Sequence, residues 1–260
     1  MPATMDANLA GTAARSSRYN VSSHSMSFVL QYSKPNDARR KLMFHGNTPV
    51  SHAPIASSGA PPSVFLLSPA NTTAKRGKIL CGESARFDLA VRFRQEGASL
   101  GEVYSFISGL YFRGKLSYSR AFASPPENLP GVLVMTTSRG LLGPDTRLTR
   151  RDLAEMSLVP IDPNESRYHL PLRRDALTLN NQVPPDCRIV LLGSIASAKY
   201  VSPLLEVFGT RLLFPIEFVG RGDLSRGGLL LRCVREQREL HYAPVASTNL
   251  RGTRPPRLSP

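Results

Sequence analysis

The chain has 260 residues and a formal charge of +14, enough length for one large domain or two small ones. Its three cysteines, Cys81, Cys187 and Cys233, lie far apart and form no CxxC. A disulfide framework and a structural zinc site are therefore not expected, and a reducing, cytoplasmic setting fits better. No apolar run approaches the ~20 residues needed to span a bilayer, so no membrane partner is expected.

The charge is uneven. Residues 1–63 carry +4, residues 246–260 carry +3, and the stretch between carries +7. A basic body with basic flanks suits nucleic acid or another polyanion. A solvated surface rich in arginine explains the same numbers equally well. Residues 1–62 are rich in Ser, Ala, Asn, Pro and Gly and show little periodicity beyond one apolar island, Met26–Tyr32. They are expected to be a disordered or non-native N-terminal extension, followed by a single α/β domain over 63–245 and a disordered tail over 246–260.

The first predicted strand is Val64–Leu67, ended by the turn residues Ser68-Pro69-Ala70-Asn71. Ile79 to Arg94 reads as one helix, closed by Gly97. Ser99-Leu100-Gly101-Glu102 is a capping box that opens a second helix through Ile107. Gly109 interrupts it, Leu110–Ala123 resumes it, and Pro125-Pro126 ends the run. Gly131–Thr137 reads as the second strand, and residues 138–145 as a turn-rich loop. Thr149–Met156 is a short charged helix. Pro160 and Pro163 make the next stretch irregular, and Tyr168–Leu179 is helical with Pro171 near its first turn.

The stretch from Cys187 to Cys233 organises the rest. Arg188–Leu192 is a short apolar, β-branched run of the kind that forms a buried strand. Ser197 is placed to cap a helix over Ala198–Phe208, with Gly209 as its stop. Arg211–Pro215 then restarts the apolar run. Strand, helix and strand at this spacing form a βαβ unit with parallel strands and a right-handed crossover. A glycine-rich loop follows over 220–228. Leu229–Arg235 and Glu239–Val245 read as strands joined by Glu236-Gln237-Arg238. The expected fold is α/β: a mostly parallel sheet with helices on both faces and a C-terminal β-hairpin.

In such sheets ligands bind beyond the carboxyl ends of the strands. Those ends carry Ser68 and Asn71, then Ser138 and Arg139, then Ser194, then Glu217, Arg221, Gly222 and Asp223. Arg139 and Arg221 are expected to face a pocket together, with flanking glycine amides open to an anion. Alternatively, Asp223 neutralises Arg221 in a structural ion pair. Lys115 joins the candidates because residues 109–115 (GLYFRGK) mix aromatics with cations, as nucleotide sites do. The commoner meaning of such a run is a helical core stripe with exposed cations. Glu217 and Asp223 are the only acids at this edge and the only candidates for general acid–base work.

Several chemistries are disfavoured. In Gly220-x-Gly222-x-x-Ser225 a serine replaces the third glycine of the dinucleotide fingerprint, and the motif follows a late strand. There is no GxxxxGK[ST] and no GxSxG. The five histidines show no metal-ligand spacing, so neither a metal nor a cofactor is expected.

The runs GVLVMTTSRGLLGPD and LLGSIASAKYVSPLLEVFG…LLFP resemble segments of YaaA-like and related DUF-type small prokaryotic α/β domains. In those domains a strand ends in a small residue ahead of Tyr- or Arg-Gly-Leu and Pro-Asp. The likeness covers roughly 64–228. It implies an α/β fold near nucleic-acid metabolism and carries over no catalytic residue. The expected function is binding of a nucleotide or nucleic-acid component at the C-terminal sheet edge, with glycosidase- or transferase-like activity. The alternative is a non-enzymatic basic protein that binds nucleic acid or acts as a scaffold.

Overall fold

Five residues in a row, Ser63–Leu67 (β1), are fully buried. Val64 and Leu66 enter one core, while Phe65 and Leu67 enter another. Successive side chains of a strand point to opposite faces, so a strand apolar at every position must lie between two covering layers. The structure is a computed structural model and describes residues 61–196 and 198–247. Residues 1–60 of the expected N-terminal extension, residues 248–260 of the expected tail and the Ser197 cap lie outside the described residues.

Two strands, Val132–Met135 and Arg188–Leu192, also send residues into both cores. Among the described residues the other strands are Ala98–Ser99 (β2), Val132–Met135 (β3), Leu141–Leu142 (β4), Arg147–Leu148 (β5), Arg188–Leu192 (β6), Leu212–Pro215 (β7) and Tyr242–Pro244 (β8). Six of these form one sheet in the order β4-β3-β1-β6-β7-β8. Its four central strands are parallel: Phe65 lies opposite Val132 of β3 and Val190 of β6, and Ile189 lies opposite Leu212 of β7. Both edge strands, β4 and β8, run antiparallel. β2 and β5 pair separately.

The helices are Lys75–Cys81 (α1), Asp88–Gln95 (α2), Leu100–Ser108 (α3), Leu110–Phe122 (α4), Arg150–Ser157 (α5), Ser166–Gln182 (α6), Ala198–Phe208 (α7) and Asp223–Arg235 (α8). Tyr104, Phe112, Tyr118 and Leu230 bring α3, α4 and α8 onto the face that receives Phe65 and Val190. Tyr168, Leu172, Leu204 and Phe208 bring α6 and α7 onto the face that receives Leu66 and Leu191. The α/β architecture with helices on both faces is therefore as the patterning implies. The box at Ser99 also forms: its hydroxyl accepts from the Glu102 amide, and Glu102 accepts from the Ser99 amide. Thr149 and Asp152 build a second box at α5.

Three expectations need correction. The single helix over 79–94 is two helices, because Gly82 closes α1 in extended backbone and Arg94 holds the intervening loop through the Gly82 and Ala85 carbonyls. The loop over 138–145 contains β4, too short to leave a period, where Gly140 turns at positive φ and its carbonyl accepts from the Thr136 amide. The C-terminal hairpin is not formed as expected. Leu229–Arg235 is the body of α8, and the second expected arm, as β8, pairs with β7. Leu229, Leu230 and Cys233 are buried at spacings of one and four residues, which is a helical stripe.

Candidate functional site

The four parallel strands enter the sheet in the order β1, β3, β6, β7. From β1 the chain steps to one side, to β3, and then returns past β1 to β6 and β7 on the other. The direction of winding thus reverses between β1 and β6. The connections leaving those two strands diverge, which opens a crevice at their carboxyl ends. A cavity of about 390 Å³ lies there, lined from β1's exit by Ser68, Asn71 and Ala74, and from β6's exit by Ser194 and Tyr200. Tyr111 and Lys115 of α4, Lys199 of α7 and Asp223 of α8 also line it.

The two exits approach closely because Gly193 has no side chain. A Cβ there would stand 2.9 Å from the Ser68 Cβ and 3.1 Å from the Tyr200 hydroxyl. The Tyr200 hydroxyl accepts from the Ser194 amide at 2.8 Å, which ties the first turn of α7 to the end of β6. Burial raises the Tyr200 phenol above its ordinary range, against the Ser194 amide and the Ser68 hydroxyl.

Lys115 is the centre of the site. Only 2% of it is exposed, and its Nζ donates to the Ser68 carbonyl at 2.7 Å and to the Ser68 Oγ at 2.8 Å. The same nitrogen lies 4.8 Å from the Tyr111 ring centroid and 4.9 Å from that of Phe112. Burial pulls the amine down to about 7; the Asp223 carboxylate opposes this through space and only in part. The Tyr111 hydroxyl is buried in the cavity wall and has no hydrogen-bond partner among the described residues. Arg226 approaches it, but the Arg226 Nε and Nη2 bond the Phe218 carbonyl, and its Nη1 lies 3.6 Å from Asp223. Burial pushes the Tyr111 phenol well up.

Of the expected ligand residues, Ser68, Asn71, Lys115, Ser194 and Asp223 meet at this cavity. Ser138, Arg139, Arg221 and Gly222 are not in its lining. The proposed pairing of Arg139 with Arg221 does not occur. Arg139 bonds Asp152 at 2.5 Å and Glu155 at 3.0 Å. Arg221 is folded into its own loop, donating to the Glu217 carbonyl at 2.9 Å and to Ser225 at 3.2 Å. The partner of Asp223 is Arg226, not Arg221. Glu217 does not join Asp223 as an acid pair: its Oε1 accepts from the His241 amide and lies 2.9 Å from the His241 Nδ1. Gly222 serves as the residue before α8.

The tyrosines were missed. Tyr111 and Lys115, four residues apart, share a helix face, a spacing equally suited to a core stripe. Tyr200 reads as one more apolar position of α7. A second, more open groove of about 570 Å³ is lined by Arg76, Arg92, Arg113 and Phe106, with Glu102 bonded to Arg92 at 2.8 Å. Among the described residues no helix is long and apolar enough to cross a membrane, and no cluster of His, Cys, Asp and Glu could hold a metal ion. The chain matches no family model, no curated protein and no solved structure.

Proposed function

We propose that this chain binds a nucleotide or nucleic-acid component in the cavity between the ends of β1 and β6, and that it works there as a glycosidase- or transferase-like enzyme. The observation that carries the reading is the buried amine of Lys115 in the wall of a cavity at the reversal of strand order. The volume, about 390 Å³, lies in the range of small-molecule sites. Ser68, Tyr111 and Tyr200 offer hydroxyls suited to a sugar, and Lys199 adds a cation at the mouth. Calorimetric titration with nucleosides and with nucleoside mono- and diphosphates tests it. Wild type should bind at least one of these, and Lys115→Met should weaken that binding at least tenfold without loss of fold. Failure of wild type to bind any, or equal binding by both proteins, would overturn the reading.

The open groove lined by Arg76, Arg92 and Arg113 favours a second reading, a non-enzymatic binder of nucleic-acid strands. Binding of that kind would weaken steeply with salt, in proportion to the phosphates contacted, and would be indifferent to Lys115→Met.

A further inference from the structure

We propose that Lys115 is a nucleophile that condenses with the aldehyde carbon of an open-chain pentose, forming an imine in the cavity. This rests on the reading of the cavity as a ligand site. A neutral amine has two N–H groups and one lone pair. Ser68 accepts from this nitrogen twice, through its carbonyl and its Oγ. The Tyr111 and Phe112 ring centroids lie 4.8 and 4.9 Å from the nitrogen, and Tyr111 and Lys115 both line the cavity. A buried lysine that is merely structural is ordinarily paired with a carboxylate, or extends its head to water. Lys115 does neither. The charged and titratable groups that share the cavity with it are Asp223 of α8, Lys199 and Tyr200 of α7, and Tyr111 of its own helix. Of these, only Asp223 favours the ammonium, and desolvation outweighs it. The rings would also tolerate a cation, but they cannot replace its lost water.

The substrate class follows from the chemistry of the proposed ligand. In a nucleotide or nucleic-acid component the sugar exposes an aldehyde, at C1′, once its base has been lost and the ring opens. The Lys115 lone pair attacks that carbon, and a C–N bond forms as the C=O π bond breaks. The carbonyl oxygen then leaves as water, taking both protons of the amine by way of solvent and hydroxyl groups, and C=N remains. No oxidant or reductant is needed. Tyr111, whose hydroxyl has Arg226 nearby but no hydrogen-bond partner among the described residues, is the group available to bond the departing oxygen.

Borohydride trapping tests the step. The full chain is incubated with 2-deoxyribose 5-phosphate, or with an oligonucleotide carrying an abasic site, in the presence of sodium cyanoborohydride. The adduct is then mapped by peptide mass. The expected result is one adduct, on Lys115, with Lys34, Lys41, Lys75, Lys78 and Lys199 as internal controls. Its rate should rise with pH through a midpoint near 7. Tyr111→Phe should slow it at least several-fold, and Lys115→Arg should abolish it. Trapping of the free sugar or of the strand supports the proposal in either case and tells the two sources apart. An adduct spread over all lysines, centred on another lysine, or absent would overturn it. If nucleotide binding persists without trapping, the imine alone fails. If neither is seen, the site reading falls with it.

Discussion

Among the described residues Lys115 has no carboxylate partner in an ion pair, and its head is not exposed, so its cost to the fold depends on pH. Its folded value, about 7, lies below the ordinary lysine value near 10.5. Between the two, the unfolded chain holds a proton that the folded chain does not, so stability from this group rises with pH, by about 1.4 kcal/mol per unit. Below the folded value both states are protonated and the effect is constant. The stability of Lys115→Met relative to wild type should therefore fall steadily from pH 7 to 10. Urea unfolding of both proteins at each pH measures it, and the comparison cancels the other titrating groups. A difference that does not change with pH would show that the amine keeps its ordinary affinity for protons. Lys115 itself was legible in the run of aromatics and cations. Arg221 was misread although its partners, Glu217 and Ser225, lie only four residues away on either side; Arg139 was misread because its partners are fixed by packing. Asp152 and Glu155 lie 13 and 16 residues from Arg139, on a different element.

The pairing of α4 with α8 sets the position of Asp223 relative to Lys115, and it depends on two glycines. A Cβ on Gly114 would stand 2.7 Å from the Gly227 carbonyl oxygen. A Cβ on Gly227 would stand 2.9 Å from the Tyr111 Cα and from the Leu110 carbonyl. These obstacles are backbone, which cannot rotate aside as a side chain would. Gly227→Ala should force the helices apart and cost about 1–3 kcal/mol, the usual range for overpacking. It should also weaken ligand binding, although Gly227 lines no part of the cavity. The denaturant midpoint and a nucleotide titration check the two effects; an unchanged midpoint would show that the helices yield freely. The glycines of 220–228 suggested a loop because glycine costs about 1 kcal/mol in a helix interior relative to alanine. In the folded chain, the close contact of two backbones outweighs that penalty. The capping boxes at Ser99 and Thr149 raise no such conflict, since donor and acceptor lie three residues apart. The first was readable at once.

Both cores meet on β1, which pairs with β3 on one side and β6 on the other. No helix layer can leave without exposing a face of that strand, so the two layers should unfold together. The described residues belong to one compact unit, 61–247. A chain of those residues should melt in a single transition, with calorimetric and van't Hoff enthalpies equal. Two separated transitions would show that the layers are independent. The buried strands, the helices of both layers apart from α8, and the mostly parallel sheet were present in the order of residues, because burial on two faces, helical periodicity and caps are local patterns. The cavity was not. Lys115 meets Ser68 across 47 residues of chain, and Ser68 and Tyr200 come together only because β1 and β6 are neighbours. Local propensity says that a strand forms but not beside which other strand it lies. That choice is made by the burial of both faces at once, and with it the place where the connections part and a ligand can enter.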